Sequence, residues 1–156
     1  MYYFLIVIAV VVLDQLIKLL VVNSMALYET IPVLQDIFHI TYIHNTGAAF
    51  SIMAGQISVL ILLPLVMILA AVIFMFVKRK TAHPLLMVSV ALIAGGGIGN
   101  LIDRVMMGSV VDYLDFRVFP VFNLADIAVC TGCGLLILYV LFIDGKQNGR
   151  GNNNQS

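Results

Sequence analysis

Four long apolar blocks dominate the chain. They cover residues 2–22, interrupted by Asp14 and Lys18; 57–77, with no charge; about 84–102; and about 121–143, interrupted by Asp126. A helix needs about 20 apolar residues to cross bilayer hydrocarbon, so each block predicts a membrane span. A buried soluble helix is the alternative for any one block, but four together argue against it. Between the first two blocks the pattern changes. Phe38, Ile40 and Tyr42 alternate with His39, Thr41 and Ile43, which predicts a short strand. Asn45-Thr46-Gly47 reads as a turn, and Ala48 to Ala54 as a short interfacial helix. Residues 146–156 are rich in Gly, Asn and Gln and read as a disordered tail. With no internal repeat, residues 1–145 form one domain.

Hydrophobic residues make up 62% of the 156, and charged residues only 10%. Soluble domains carry about 25% charged residues, so the excess apolar surface needs lipid as its solvent. Eight basic and eight acidic side chains cancel. No basic stripe holds phosphates, which argues against nucleic acid as a partner. The N-terminus lacks a basic n-region and an A-x-A site, and so reads as a retained span. Orientation follows from the basic residues. Lys78, Arg79 and Lys80 join the second and third spans, and Lys146 and Arg150 follow the fourth. By the positive-inside rule both termini are cytoplasmic, leaving 23–56 and 103–120 outside.

That orientation gathers the polar residues at one level. Asp14 and Lys18 fall in the outer half of span one, and Asn100, Asp103 and Arg104 at the outer end of span three. Asn123 and Asp126 open span four, Asp112 lies in the preceding outer loop, and Asn45 precedes span two. Charges in a membrane cost about 2.5–3.5 kcal/mol each on insertion scales, so they are paired or functional. Asp14 and Lys18 are spaced i,i+4 and share a helix face. Gly95, Gly96, Gly97 and Gly99 precede the third-span cluster and permit close helix approach or a local bend.

Among the seven aspartates, Asp14 has Lys18 as a partner, Asp103 has Arg104 beside it, and Asp115 has Arg117 nearby. Asp112 and Asp126 lack an obvious local cation. Asp126 falls about 5 residues into span four, roughly 7–8 Å deep. Two carboxylates in one low-dielectric site do not both ionise easily, so one keeps a proton while the other acts as base. The alternative is a pair of helix-end aspartates, with Asp126 capping its helix. Other hydrolytic chemistries fit less well. No H-E-x-x-H occurs, His39 and His44 lie opposite His83, and no G-x-S-x-G surrounds a serine. Ser51, Ser58, Ser89 and Ser109 lack an evident histidine base. Cys130 and Cys133 form a lone C-x-x-C in an uncharged run, read as packing residues of a membrane helix. No metal or organic cofactor is expected.

Five motifs in order resemble the bacterial lipoprotein signal peptidases, the type II signal peptidases. They are Asp14-Gln15-x-x-Lys18; Asn45-Thr46-Gly47-Ala48-Ala49-Phe50-Ser51; Gly95 to Arg104; Val110-Val111-Asp112; and Phe122-Asn123-Leu124-Ala125-Asp126. The resemblance covers roughly residues 1–145. It implies an all-α membrane protein of four transmembrane helices with a small extracytoplasmic β-cradle and a short interfacial helix. It implies an aspartic endopeptidase of the bacterial cytoplasmic membrane that removes the signal peptide from diacylglyceryl-modified prolipoproteins. The cut falls before the lipidated cysteine. The catalytic aspartates of the family match Asp112 and Asp126. Asn45, Asn100, Arg104 and Asn123 match residues lining or supporting the site, with Asp103, Asp14 and Lys18 in supporting roles. Sensitivity to the peptide antibiotic globomycin is implied too, and nothing demands more than a monomer. Two rivals fit less well. A proton-coupled transporter predicts ionisable residues through the whole membrane depth, but the inner halves of these spans are bare. A presenilin-type peptidase needs G-x-G-D, but Gly97-Ile98-Gly99 is followed by Asn100.

Overall fold

The computed structural model describes residues 2–47 and 57–144. The segment expected as an interfacial helix, and the tail, lie outside the described residues. The order of elements is α1 (Tyr2–Ser24), β1 (Thr30–Leu34), β2 (Phe38–Asn45), α2 (Ile57–Lys78), α3 (Pro84–Met107), β3 (Val110–Asp115) and α4 (Leu124–Tyr139). A π-helical turn, Val140–Asp144, continues α4. Helices α1, α2 and α3, and α4 together with its π-helical continuation as far as Ile143, are each long and apolar enough to cross a membrane. Their exposed leucines, valines and phenylalanines, such as Leu16, Val66 and Phe76, face outward as a lipid-solvated belt.

The helix ends follow local chemistry more than hydropathy. Pro84 opens α3, and the His83 side chain accepts the Leu85 amide at 3.2 Å. The helix runs past the expected limit near residue 102 because its polar residues find partners inside the bundle. It stops at Gly108, which adopts φ 72° and returns its N–H to the Arg104 carbonyl. The fourth span starts at Leu124 and not at 121. Asn123 is its N-cap, and Phe122 instead bridges to Leu114. Asp126 therefore stands in the first turn, completing a capping box with Asn123, and is shallower than the sequence spacing implied.

Helix α3 is the most buried of the four and packs against α1, α2 and α4. Its glycines make this possible. A Cβ on Gly95 would sit 2.9 Å from Val10 Cβ, and one on Gly96 would run into the Ala125 carbonyl. In lipid, apolar burial drives no helix association, so close backbone packing holds the bundle together.

The strands form an antiparallel sheet in the order β1-β2-β3. Asp112 was expected in a loop. Val110–Asp115 is instead a strand, buried along nearly its whole length, with Ile43 opposite Asp112 and Asn45 opposite Val110. Val21, Tyr42, Val111 and Tyr113 pack the sheet onto α1. The sheet thus seats Asn45 and Asp112 over the polar ends of α1, α3 and α4.

Candidate active site

The lowest layer of the site is an ion cluster between α1 and α3. Lys18 Nζ lies 2.8 Å from Asp14 Oδ2 and 2.8 Å from Asp103 Oδ2. It donates a third bond to Asn100 Oδ1 at 3.0 Å. All three ammonium donors are thereby used, as burial requires; Lys18 is only 3% exposed. Asp14 Oδ1 also accepts the Ala125 amide at 3.0 Å, tying α1 to an otherwise unpaired N–H in the first turn of α4. Asp103 Oδ2 accepts the Val111 amide at 3.1 Å, which fixes β3 beside Asp112.

The next layer is amide. Asn100 Nδ2 donates to Asp126 Oδ1 at 2.8 Å, and Asn123 Nδ2 to Asp112 Oδ1 at 2.7 Å. The remaining oxygens are also met. Asn45 Nδ2 donates to Asp112 Oδ2 at 3.0 Å, and the Asn123 backbone N–H to Asp126 Oδ2 at 3.2 Å. Each of the four carboxylate oxygens has one fixed donor and keeps a lone pair for something else.

Both carboxylates line one cavity of about 280 Å³, with Asn45, Asn100, Arg104 and the loop Phe119–Phe122. A groove of about 250 Å³ between α2, α3 and α4 shares Asn100, Arg104 and Asp126 with that cavity. Its other walls are apolar, among them Leu63, Met67 and Ile93. Burial pushes the Asp112 carboxyl up to about 7; the Asp126 charge raises it further, and the Asn45 and Asn123 amides oppose. Burial likewise raises the Tyr113 hydroxyl to about 12, leaving it a neutral acceptor for the Leu124 amide at 3.2 Å. A carboxylate pair in which one member holds a proton near neutrality can remove one proton and deliver another. Among the described residues, no group of three His, Cys, Asp or Glu side chains is placed to hold a metal ion.

The nine residues singled out from sequence come together at this end of the bundle, but some pairings differ. Asp103 pairs with Lys18, not with Arg104. Neighbours in a helix diverge by about 100°, whereas α1 lies directly across. Arg104 Nη2 instead donates to the Gly47 carbonyl at 3.1 Å. Asp115 does pair with Arg117, at 3.2 Å, and accepts from Thr41 at 2.8 Å. Burial raises the Asp115 carboxyl, but these donors outweigh it and hold it below the usual range. Ser109, expected without a histidine, has His44 Nδ1 at 2.7 Å because β2 pairs with β3. Tyr42 occupies the other ring nitrogen at 2.7 Å, and Ser109 is buried. Cys130 and Cys133 are free thiols on the exposed face of α4, not packed between helices, and Cys130 borders the cavity.

Gln15 belongs to the first motif, but the sequence reading gives it no role. Its Nε2 donates to Asp103 Oδ1 at 2.9 Å and to the Gly99 carbonyl at 3.2 Å. Its place beside Asp14, one residue from the i,i+4 pair, was the available signal.

Four membrane-crossing helices, with Asp112 on β3 and Asp126 on α4 lining one cavity at their polar ends, define a multi-pass membrane protein. A profile of the family described as Signal peptidase (SPase) II matches residues 6–142. The lipoprotein signal peptidase of Halothermothrix orenii is 47% identical over 137 residues, spanning 88% of this chain and 93% of the relative. That of Clostridioides difficile is 41% identical over 149 residues, spanning 94% and 99%. A solved bacterial membrane enzyme superposes with TM-score 0.84 at 32% identity, covering 90% of this chain and 87% of that one. A second has TM-score 0.81 at 32% identity, covering 91% and 94%. The chain belongs to the signal peptidase II family of proteases.

Proposed function

We propose that this chain is an aspartic endopeptidase that removes the signal peptide from diacylglyceryl-modified prolipoproteins, cutting just before the lipidated cysteine. The observation that carries the mechanism is that Asp112 and Asp126 face one cavity, each steadied by asparagine donors. One carboxylate takes a proton from water as its oxygen attacks the scissile carbonyl. The other, protonated, gives its proton to the departing amine of the lipidated cysteine. One water is consumed, and a carboxyl and an amine are formed. The two carboxyls titrate as a coupled pair, so base and acid are roles of the pair. Arg104 Nε is buried without a hydrogen-bond partner among the described residues and borders the cavity, which suits it to receive a substrate carbonyl.

The basic residues Lys78, Arg79 and Lys80 support an orientation with both termini cytoplasmic and the site near the extracytoplasmic face of the bacterial cytoplasmic membrane. There the acyl chains of a lipidated cysteine, held in the outer leaflet, bring the scissile bond level with the acid pair. Residues 1–145 act as one peptidase domain and as a monomer, and globomycin-type peptides compete for the same cavity.

The test uses the full chain in lipid with two precursors that differ only in the diacylglyceryl group. The modified precursor is expected to yield a product whose mass begins at the lipidated cysteine, with the unmodified one uncut. No cleavage of a modified precursor that a characterised relative processes would overturn the proposal.

A further inference from the structure

Asparagine amides have near-isosteric ends, so something must decide which end faces a carboxylate. Here a buried ammonium decides it. Lys18 Nζ has only donors, and the Asn100 atom 3.0 Å from it is Oδ1. With its oxygen held there, Asn100 has only its NH₂ to offer Asp126, at 2.8 Å. The same Asn100 Oδ1 accepts Asn123 Nδ2 at 3.1 Å. That bond points the Asn123 NH₂ toward Asp112 Oδ1, 2.7 Å away, and leaves Asn123 Oδ1 to accept the Asp126 N–H at 3.0 Å. Asn123 is fully buried, so no solvent competes for either end. The cation therefore fixes the polarity of Asn100 directly, and Asn123, whose NH₂ also donates to the Val111 carbonyl at 3.3 Å, takes the matching orientation.

We propose that Lys18 is a positioning residue: its ammonium holds Asn100 Oδ1, so that the Asn100 amide presents its N–H donors to Asp126 and its oxygen to the Asn123 amide that serves Asp112. The proposal rests on the catalytic reading of Asp112 and Asp126. Its failure is separable from failure of that reading, because it predicts a coupling between Lys18 and Asn100 and not merely a loss of activity.

The test is a double-mutant cycle on the full chain in lipid, with kcat and KM measured on a diacylglyceryl-modified precursor. The variants are Lys18→Met, Asn100→Leu and both together. Displacing reacting groups by about 1 Å costs about 10²-fold in rate, and Lys18→Met is expected to lower kcat by about that factor with KM nearly unchanged. In the Asn100→Leu background the same change should cost at least about threefold less in kcat than in the native chain, the remaining loss passing through Asp14 and Asp103 to the Ala125 and Val111 amides. An equal loss in both backgrounds would mean that Lys18 only holds α1 to α3, and would overturn the proposal. Lys18→Met leaves Asp14 and Asp103 without their cation and can fail to fold. In that event the cycle is run on Asp103→Asn chains, where removing Lys18 leaves the cluster at its native net charge. The same two outcomes decide it.

Discussion

Gly99→Ala tests how tightly the ion cluster sets the site. A Cβ at this position would lie 2.6 Å from Asp14 Oδ2, 3.1 Å from its Cγ and 3.3 Å from Ala125 Cβ. Carbon–oxygen contacts of this kind settle at about 3.3–3.6 Å, so the carboxylate must retreat by roughly 0.7 Å. A free aspartate would swing away at little cost. This one cannot, because Lys18 holds Oδ2 at 2.8 Å and the Ala125 amide holds Oδ1 at 3.0 Å. The displacement passes to the first turn of α4, which carries Asp126. Overpacking of this kind destabilises by about 1–3 kcal/mol, and a shift approaching 1 Å at the reacting groups costs up to about 10²-fold. Gly99→Ala should therefore lower kcat at least about tenfold while lowering Tm by a few degrees. Gly134→Ala is the control, since a Cβ there meets nothing within 4 Å. The assay is precursor cleavage in lipid beside thermal unfolding of the same preparations. Native kcat with native Tm in Gly99→Ala would refute the reasoning, because the bonds on Asp14 would then be soft.

Three further outcomes are expected. Burial raises the Asp112 carboxyl to about 7 from an ordinary 3.8, so the folded state binds this proton more tightly than the unfolded chain does. The stability it contributes is fully present below about pH 4 and is lost as pH rises through about 7. Tm should fall across that window, and kcat/KM should show an ionisation near its upper end. The Asn45 bond favours the carboxylate, so Asn45→Ala should move that ionisation alkaline; an acid shift contradicts the assigned cause. Asp14→Ala leaves a buried ammonium short of one partner and the Ala125 amide unpaired. Breaking a buried pair costs about 3–5 kcal/mol, which for a chain of this size lowers Tm by about 6–20 °C, and a negligible change would rule out the cluster as a structural anchor.

Much of the fold was legible because lipid imposes a simple rule: apolar blocks of about 20 residues become helices. The helix ends were less so. Hydropathy ends where charges begin, but Asp103 and Arg104 continue α3 because Lys18 and the Gly47 carbonyl receive them. Strand β3 was missed for a related reason. Val110–Asp115 is buried on both faces, so the alternation that marks a half-buried strand is lost. The residues of the site were readable as a level in the membrane, but not their pairings. Lys18 to Asp103 and Asn123 to Asp112 join helices and strand through contacts that no local spacing encodes. The one avoidable error was pairing Asp103 with Arg104, since adjacent helical residues never face each other.

The proposed mechanism has Asp112 and Asp126 acting together on one bond. Its most direct test is single-turnover cleavage of a diacylglyceryl-modified precursor by the native chain and by Asp112→Asn, Asp126→Asn and Asp115→Asn, each shown to be folded. Asp115 faces Thr41 and Arg117 and takes no part in the cavity lining. Each dyad variant should lose activity by at least about 10³-fold, while Asp115→Asn should cleave at close to the native rate. Cleavage by folded Asp112→Asn or Asp126→Asn at a rate near that of the native chain would contradict it.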